Sequence, residues 1–319
     1  MKKTTILWLL IATALVLTGC ILFGVAMFRL DWNFHMLSTV TYETNEYAAL
    51  EPFENIVIVT DTADVQLVAA DSVSLTCYEQ ENAKHTVSVK DGTLYIEIHD
   101  ETKWYQHIGV NFGTPKIQLY LPKGQYGTLQ IKGDTGDVNI PSEFAFASLD
   151  IAQSTGDIRS DASVTGTARI RTSTGNIRVE NVSVGALSLS VSTGEITVAD
   201  LVCVGDLQLR VSTGKAKLTN VSCKNLISSG GTGDLSLNAV IAVESMTIER
   251  STGDVTLDCC DAGQLTIVTD TGDVSGTLLS PKIFICETDT GCVEVPKTTT
   301  GGTCEITTDT GDISLDIVK

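Results

Sequence analysis

The sequence is poor in aromatic residues, charged residues and proline, and these shortages narrow the fold class. Aromatic residues make up 6% and charged residues 19% of the 319 residues, and proline occurs 6 times against 27 glycines. Short strands with tight corners match this profile, whereas long helices do not. The composition therefore excludes a helical globule and favours an all-β protein.

Basic residues are scarce as well. The chain has 21 Lys and Arg against 39 Asp and Glu, and its formal net charge is -18. Nucleic-acid binding needs a basic surface, so we expect no nucleic-acid partner. An acidic surface also keeps an ectodomain away from anionic lipid head groups.

The cysteines show no functional pattern. They number 9, an odd count, and the 4 histidines show no metal-ligand spacing with any cysteine pair. Most lie among Val, Leu and Thr, and we interpret five as small apolar residues: Cys77, Cys203, Cys223, Cys286 and Cys304. The sequence thus predicts no disulfide framework, no metal site and no resident cofactor.

An uncharged run at residues 6–28 predicts a transmembrane helix. As a helix it would be about 35 Å long, enough to cross a bilayer. Lys2 and Lys3 precede it and only Arg29 follows closely, which predicts a cytoplasmic N-terminus. We expect a single-pass cell-membrane protein whose C-terminal part is extracytoplasmic.

A second interpretation of this region is a lipoprotein signal. Leu17-Thr18-Gly19-Cys20 resembles a lipobox, in which the chain is cut before the cysteine and Cys20 carries the lipid. The apolar run continues to Phe28, where a lipoprotein normally turns polar, and this favours the intact helix. Both interpretations place residues 31–319 outside the cytoplasmic membrane.

From residue 129 onward the sequence repeats with a period of 19–20 residues. A glycine marks each repeat: Gly136, Gly156, Gly175, Gly194, Gly214, Gly233, Gly253, Gly272, Gly291 and Gly311. A period near twenty is typical of solenoids rather than of propellers or helical-pair arrays. Glycine tolerates the positive φ of a sharp corner, and Asp, Asn, Ser or Thr beside it satisfies freed backbone groups.

In most repeats apolar residues lie seven and five residues before the glycine and two and four residues after it, the alternation of strands. A third apolar position follows seven residues after the glycine: Val182, Leu201, Val221, Val240, Cys260 and Leu279. One coil cannot bury its own apolar side, but stacked coils can. We predict a single-stranded, β-helix-like β-solenoid of about ten coils with two or three walls.

The predicted organisation has five parts. They are a cytoplasmic tip (1–5), the transmembrane helix (6–28), a stalk (29–40), an N-terminal β cap with a degenerate coil (41–128) and the solenoid (129–319). The degenerate coil is a start coil with Asp61-Thr62-Ala63-Asp64 at its corner, and Asp91-Gly92 predicts a hairpin turn. Ile313–Ile317 is expected to form the last rung, which is exposed unless Asp316 and Lys319 protect it or a partner adds to it.

The tip, the membrane segment and the tandem Ser-Thr-Gly-Asp coils together resemble the bacterial adhesin-like family of β-strand-repeat proteins, domain of unknown function 4097. Five corners carry the resemblance: Asp134-Thr135-Gly136-Asp137, Ser154-Thr155-Gly156-Asp157, Ser251-Thr252-Gly253-Asp254, Asp270-Thr271-Gly272-Asp273 and Asp309-Thr310-Gly311-Asp312. It covers residues from about 50 to 319 and implies a cell-envelope protein without catalytic residues. The corner Asp is replaced at Asn176, Glu195, Lys215 and Cys292.

Two motifs resemble functional sites of other proteins, but the repeat accounts for both of them better. Asp-Thr-Gly, the triplet of aspartic proteases, occurs at 134–136, 270–272, 289–291 and 309–311, but Ser replaces its Asp at five other corners. Thr-x-Thr segments such as Thr172-Ser173-Thr174 resemble the faces of ice-binding solenoids, although serines interrupt the pattern.

Two further alternatives concern acids and bases. Calcium binding by stacked corner carboxylates competes with their role as turn residues; those carboxylates are Asp137, Asp157, Asp234, Asp254, Asp273 and Asp312. A polysaccharide lyase would need a basic residue beside paired acids on one rung, and the arginines do not share one; they are Arg159, Arg171, Arg178, Arg210 and Arg250.

The sequence therefore favours a non-enzymatic, membrane-anchored surface-binding module or adhesin of the bacterial cell envelope. Its ligand would be a cell-wall polymer or a surface protein. Two alternatives stay open: an accessory regulator in envelope-stress signalling, and a polysaccharide-active β-helix enzyme.

Overall fold

A computed structural model describes residues 3–33, 40–48, 51–100 and 113–318 of this chain. Helix α1 (Lys3–Arg29) contains the predicted apolar run, and an 18-residue stretch within residues 4–29 has a mean hydropathy of 2.6 and no buried residue. The prediction of one N-terminal apolar helix is confirmed. Residues 1–2 of the predicted tip, residues 34–39 of the predicted stalk and Lys319 lie outside the described residues.

All other regular structure in the described residues is β-strand. The strands before the repeat array are β1 (Tyr42–Ala48), β2 (Asn55–Thr60), β3 (Asp64–Ala69), β4 (Ser74–Gln80), β5 (Ala83–Lys90), β6 (Thr93–Asp100) and β7 (Lys116–Leu121). The strands of the array are β8 (Gly124–Thr135), β9 (Val138–Ile140), β10 (Phe144–Thr155), β11 (Ile158–Ser160), β12 (Ser163–Thr174), β13 (Ile177–Thr193), β14 (Ile196–Cys203), β15 (Asp206–Thr213), β16 (Ala216–Thr232), β17 (Leu235–Thr252), β18 (Val255–Thr271), β19 (Val274–Leu278), β20 (Lys282–Thr290), β21 (Val293–Glu294), β22 (Gly302–Thr310) and β23 (Ile313–Ile317).

These strands form a β-solenoid of about ten turns, which confirms the predicted fold class. Neighbouring coils pair as parallel strands with equivalent residues in register, so that Ile151 lies between Ile131 and Ile170. Each interior position thus becomes a ladder of buried Ile, Val and Leu along the rod. Because a single coil has no second layer to pack against, each apolar face is buried by its neighbours and by the other walls of the same coil.

Each regular coil has three walls. Wall 1 precedes the corner glycine, wall 2 follows it, and wall 3 follows a second bend six residues after the glycine. Non-glycine residues take positive φ values of 51–56° at this bend: Asn181, Asp200, Asn220, Ala239 and Cys259. Asn and Asp tolerate this conformation better than other residues, yet the second bend was not predicted.

The wall 3 positions are buried as predicted in five coils, but one assignment was wrong. Leu278 is buried and Leu279 is 43% exposed. The coil of Gly272 lacks the usual second bend and turns instead at Gly276, whose φ is 142°. That change moves the inward position by one residue, and a one-residue shift in a strand reverses the face of the side chain.

The degenerate coil does form a rung, but it is not the outermost one. Strand β2 pairs in parallel with β8 on one side and with β6 on the other, and β3 pairs likewise with β9 and β7. The coil of β6 and β7 is therefore the outer rung at this end. Asp91 and Gly92 take positive φ values of 50° and 70°, which confirms the predicted hairpin between β5 and β6.

Antiparallel strands protect the edge of that outer rung. Strand β5 pairs with β6, β4 pairs with β7, and β1 pairs with β4. The unpaired N–H and C=O groups of a parallel edge are therefore used within the chain at this end.

At the other end the predicted order of rungs was wrong. Strand β22 pairs with both β18 and β20, and β23 pairs with both β19 and β21. The last coil in the sequence is thus inserted between the two coils that precede it, and Ile313–Ile317 is an interior rung. The outer rung is β20 and β21, where Ile285 is 56% exposed.

A buried lysine ties this outer rung to the stack. Lys282 reaches past the inserted coil, and its Nζ donates to the carbonyl of Ala262 at 2.5 Å and lies 2.6 Å from Asp261 Oδ1. Gly302, its register partner, has no side chain, and an added Cβ would meet the carbonyl oxygen of Gly263 at 1.8 Å.

The first prediction concerns a corner glycine in the middle of the rod. Gly214 has a φ of 134°, and a Cβ there would lie 1.8 Å from the backbone oxygen of Gly194. Gly214→Ala is expected to reduce the free energy of unfolding by about 2 kcal/mol or more, measured by urea denaturation. Ser212→Ala, at an exposed position beside it, is the control and should change stability little; equal effects of the two variants would disprove the corner argument.

The second prediction tests the inserted coil by disulfide trapping. Thr266 pairs in register with Glu305, and Glu305 pairs with Ile285. Thr266→Cys with Glu305→Cys is expected to cross-link, because neighbouring strands are about 4.8 Å apart. The pair Thr266→Cys with Ile285→Cys is two rungs apart, about 9.6 Å, and should not cross-link. Peptide mapping by mass spectrometry distinguishes the two, and the reverse result would restore the sequential order.

Candidate functional site: the corner column and two grooves

The corner glycines share one backbone geometry. All ten have φ values between 127° and 156°. The N–H of each of the first eight donates to the carbonyl oxygen of the Thr before the glycine of the next rung, as from Gly156 to Thr174 at 2.9 Å. At all ten corner glycines an added Cβ would lie 1.8–2.4 Å from a backbone oxygen of the neighbouring coil.

The residues that follow the corner glycines form a hydrogen-bonded ladder, which we call the corner column. Asp137 Oδ1 accepts the backbone N–H of Asp157 at 2.8 Å, and Asp157 Oδ1 accepts that of Asn176 at 2.8 Å. The ladder begins at Asp64 and continues past the inserted coil to Cys292. A short side chain with an acceptor oxygen is required to reach the next rung, which explains the preference for Asp and Asn.

The column is interrupted in the middle of the rod. Glu195 is followed by Lys215, whose Nζ lies 3.1 Å from Asp234 Oδ2. This contact with Lys215, together with the N–H of Asp254, lowers the pKa of the Asp234 carboxyl. The carboxylates of the column thus act as acceptors for backbone and lysine groups, and calcium binding by them stays a prediction.

A groove of about 530 Å³ follows wall 1 beside the corner column, and we call it the wall 1 groove. Lys132, Ala152 and Arg171 lie in register on three consecutive rungs, with Ala152 in the middle at the floor of the groove. Both cations are exposed, and neither makes an ion pair or hydrogen bond within the part of the chain that the structure describes. Its other lining residues are Val59, Thr60, Asp61, Gly133, Asp134, Gln153, Ser154, Thr172, Ser173, Ser190 and Ser192.

A second groove, of about 540 Å³, follows wall 2 on the other side of the column. The cations of this groove form ion pairs with acidic residues. Arg159 Nε donates to Asp161 Oδ2 at 2.9 Å, and Arg178 lies 2.7 Å from Glu180 Oε1, a contact that raises the pKa of Arg178. The wall 1 groove therefore has two unpaired cations beside the acids Asp61 and Asp134, whereas both cations of the wall 2 groove are paired.

The remaining candidates lie elsewhere. Arg250 points into the core, is 4% exposed, and donates to Ser228 Oγ at 2.8 Å, so it does not line an outer wall. The first threonine of the segment 172–174 also points inward and is buried, so Thr172 and Thr174 do not share one outer face. Cys20 is exposed on α1, and its lipidation stays a prediction.

The family assignment rests on the repeat region. The sequence profile of the family Toastrack DUF4097 matches residues 53–208 and 203–319. The chain belongs to this family. The resemblance inferred from the corners is therefore confirmed, and no curated protein matches the sequence.

Several solved structures are similar to this chain. A putative lipid binding protein from Parabacteroides distasonis shares 17% identity at a TM-score of 0.44, covering 88% of this chain and 98% of that one. A putative adhesin from Bacteroides fragilis shares 15% at 0.41, covering 86% and 97%. A putative adhesin from Parabacteroides distasonis shares 13% at 0.49, covering 87% and 98%.

The third prediction tests the corner column. Asp157→Ala removes the acceptor of the Asn176 N–H, and we expect a loss of about 1 kcal/mol in unfolding free energy by urea denaturation. Asp157→Asn should be nearly neutral, because Asn176 itself accepts the N–H of Glu195 at 3.0 Å in the same way. If instead both variants lost stability only in the presence of calcium, the carboxylates would be metal ligands.

Proposed function

We propose that this protein is a non-enzymatic, membrane-anchored surface-binding module of the cell envelope, and that the wall 1 groove contacts an extended anionic polymer of the cell wall. The observation that carries the proposal is the pair of free cations, Lys132 and Arg171, on a chain of net charge -18. Unpaired cations attract anions locally while the surrounding acidic surface repels them, which favours selective binding, although the lining also includes the acids Asp61 and Asp134.

The dimensions of the groove suit a repeating polymer. Lys132 and Arg171 are two rungs apart, about 9.6 Å, with the small side chain of Ala152 between them. A phosphate or carboxylate above Ala152 could accept from both cations. Serine hydroxyls along the corner side, such as Ser154 and Ser173, offer hydrogen bonds to sugar or polyol groups.

The anchor and its orientation support the same role. Helix α1 is long and apolar enough to cross a membrane, and a signal sequence would pass the same test. The basic residues Lys2 and Lys3 before it favour a cytoplasmic N-terminus. The solenoid would then face the cell wall from the membrane surface.

The grooves support binding rather than catalysis. His, Cys and Tyr are absent from the described lining of both grooves. Ser154 donates to Asp134 Oδ1 at 3.3 Å, but both residues are exposed. Catalytic acids and bases normally sit in a concave pocket that shifts their pKa values and excludes water.

The fourth prediction tests the groove by co-sedimentation of the full-length protein in detergent with isolated cell walls. Lys132→Ser with Arg171→Ser is expected to weaken binding by about 10-fold or more, because each removes a charge-assisted contact. Serine occurs at the same position of the next rung, Ser190, so the fold should tolerate both changes.

A matched control removes two exposed lysines outside the groove, Lys116→Ser with Lys217→Ser, and should leave binding unchanged. Wild-type binding should fall as salt rises and should be lost on walls stripped of anionic polymer. Equal binding to stripped walls, or equal loss in the control, would contradict the proposal.

A further inference from the structure

Three buried side chains in the N-terminal cap bring together a thiol, a carboxylate and an imidazole. Cys77 and Glu79 are two residues apart on β4 and so share one face, and His85 on β5 faces them. They are 0%, 1% and 3% exposed, and one ligand atom from each lies within 4.8 Å of the others. The solenoid proper has no such cluster among its described residues.

The carboxylate at the centre of this cluster is held in place by several donors. Glu79 Oε2 accepts the backbone N–H of His85 at 2.7 Å and contacts His85 Nδ1 at 2.7 Å. Glu79 Oε1 accepts from Asn45 Nδ2 at 2.8 Å. These contacts fix the orientation of a buried charge, which would otherwise be expensive to remove from water.

The imidazole is oriented from its other side. His85 Nε2 lies 3.1 Å from Thr60 Oγ1. Metal-binding histidines commonly use one ring nitrogen for the ion and donate the other N–H to an oxygen, which fixes the tautomer. With Thr60 on Nε2, Nδ1 is the nitrogen available to an ion between His85 and Glu79.

We propose that Cys77, Glu79 and His85 form a zinc-binding site. Sulfur, nitrogen and carboxylate oxygen are the donor set of zinc, whereas calcium and magnesium take oxygen ligands only. A thiolate and a carboxylate carry two negative charges, so they neutralise a divalent ion in a buried position. The described residues supply three ligand atoms, and a fourth would come from solvent.

The cluster needs only small movements to bind zinc. Bonds of 2.0–2.3 Å in a tetrahedral site place ligand atoms about 3.3–3.8 Å apart. The contact of 2.7 Å between His85 and Glu79 must lengthen by about 0.6 Å, and contacts of up to 4.8 Å must shorten by about 1.5 Å at most. Burial, with the nearby Glu79, raises the pKa of Cys77 to about 12, so zinc would displace a thiol proton on binding.

The position of the site gives the ion a structural role that is independent of the proposed surface binding. Strands β4 and β5 cover the edges of β7 and β6 in the outer rung, and Thr60 belongs to the rung beneath. An ion held by β4 and β5 and oriented by β2 would link the cover strands to the stack.

The test uses the full-length protein in detergent, first stripped with a chelator and then loaded. We expect one equivalent of zinc to remain after gel filtration, measured by mass spectrometry of the metal. Cobalt in place of zinc should give a sulfur-to-cobalt charge-transfer band and ligand-field bands of tetrahedral intensity. Failure of the wild-type protein to retain either metal would overturn the proposal, leaving a buried His–Glu pair only.

Cys77→Ser should abolish the charge-transfer band and weaken zinc binding by more than about 10-fold, the range seen when even the outer partners of a ligand are removed. Cys223→Ser is the matched control, because burial also raises the pKa of Cys223 to about 12 but no His or Glu is grouped with it among the described residues. The control should keep the band. A band that survives in Cys77→Ser would show that other cysteines bind the metal and would refute the assignment.

Discussion

Neighbouring coils approach so closely at the corner glycines that the rest of the solenoid depends on this contact. The position that a Cβ would occupy lies 1.8–2.4 Å from a backbone oxygen of the adjacent coil, so any side chain would push the coils apart. Close approach allows the glycine N–H to reach the carbonyl of the Thr on the next rung. It also brings the following Asp or Asn within reach of the next backbone N–H. The period of 19–20 residues is the length of chain needed to return to this contact.

One inward column, just before the corner, contains polar side chains in place of the usual apolar ones. The position three residues before each glycine points inward, and polar residues occupy it in several coils: Gln153, Thr172, Arg250, Thr269 and Thr308. Large residues there have a glycine as neighbour. A Cβ on Gly133 would lie 2.2 Å from Gln153 Oε1, and one on Gly230 would lie 1.5 Å from Arg250 Nη1. A large side chain on one rung thus fills the space that the glycine leaves on the adjacent rung, so that the side-chain volume is balanced over two rungs.

The burial of Arg250 illustrates the cost of such an exception. Burial lowers the pKa of its guanidinium, and its Nε has no partner among the described residues. The hydrogen bond that Arg250 donates to Ser228 Oγ does not neutralise the charge. A buried group with incomplete partners reduces stability. Burial of the surrounding ladders of Ile and Leu must therefore offset this loss of folding free energy.

The sequence determines the coil but not the order of the coils. Corner, strand alternation and period were all predicted, because each depends on contacts that every coil repeats. The inserted last coil was not predicted, because the corners at Gly291 and Gly311 both carry Asp-Thr-Gly and the period alone does not say which of them stacks on Gly272, although Cys292 stands where the other corner has Asp312. The difference lies in side chains that act across two rungs, such as Lys282 with Asp261, and in the gap that Gly302 leaves. The second bend was missed for another reason: its residues vary from Asn181 to Ala239 to Cys259, and only the φ value is shared.

The two candidate sites differed in how far they could be predicted, because one lies inside the repeat and the other outside it. Lys132, Ala152 and Arg171 lie at one offset from their glycines, so their stacking follows from the period, although whether the two cations are paired required side-chain positions. Cys77, Glu79 and His85 lie in antiparallel strands outside the repeat, where the register depends on a turn rather than on a period. A solenoid fixes its inward columns by packing and leaves its outward columns free to vary. The unpaired cations Lys132 and Arg171 on an outward column therefore have no packing explanation, and this is the ground for the proposed binding role.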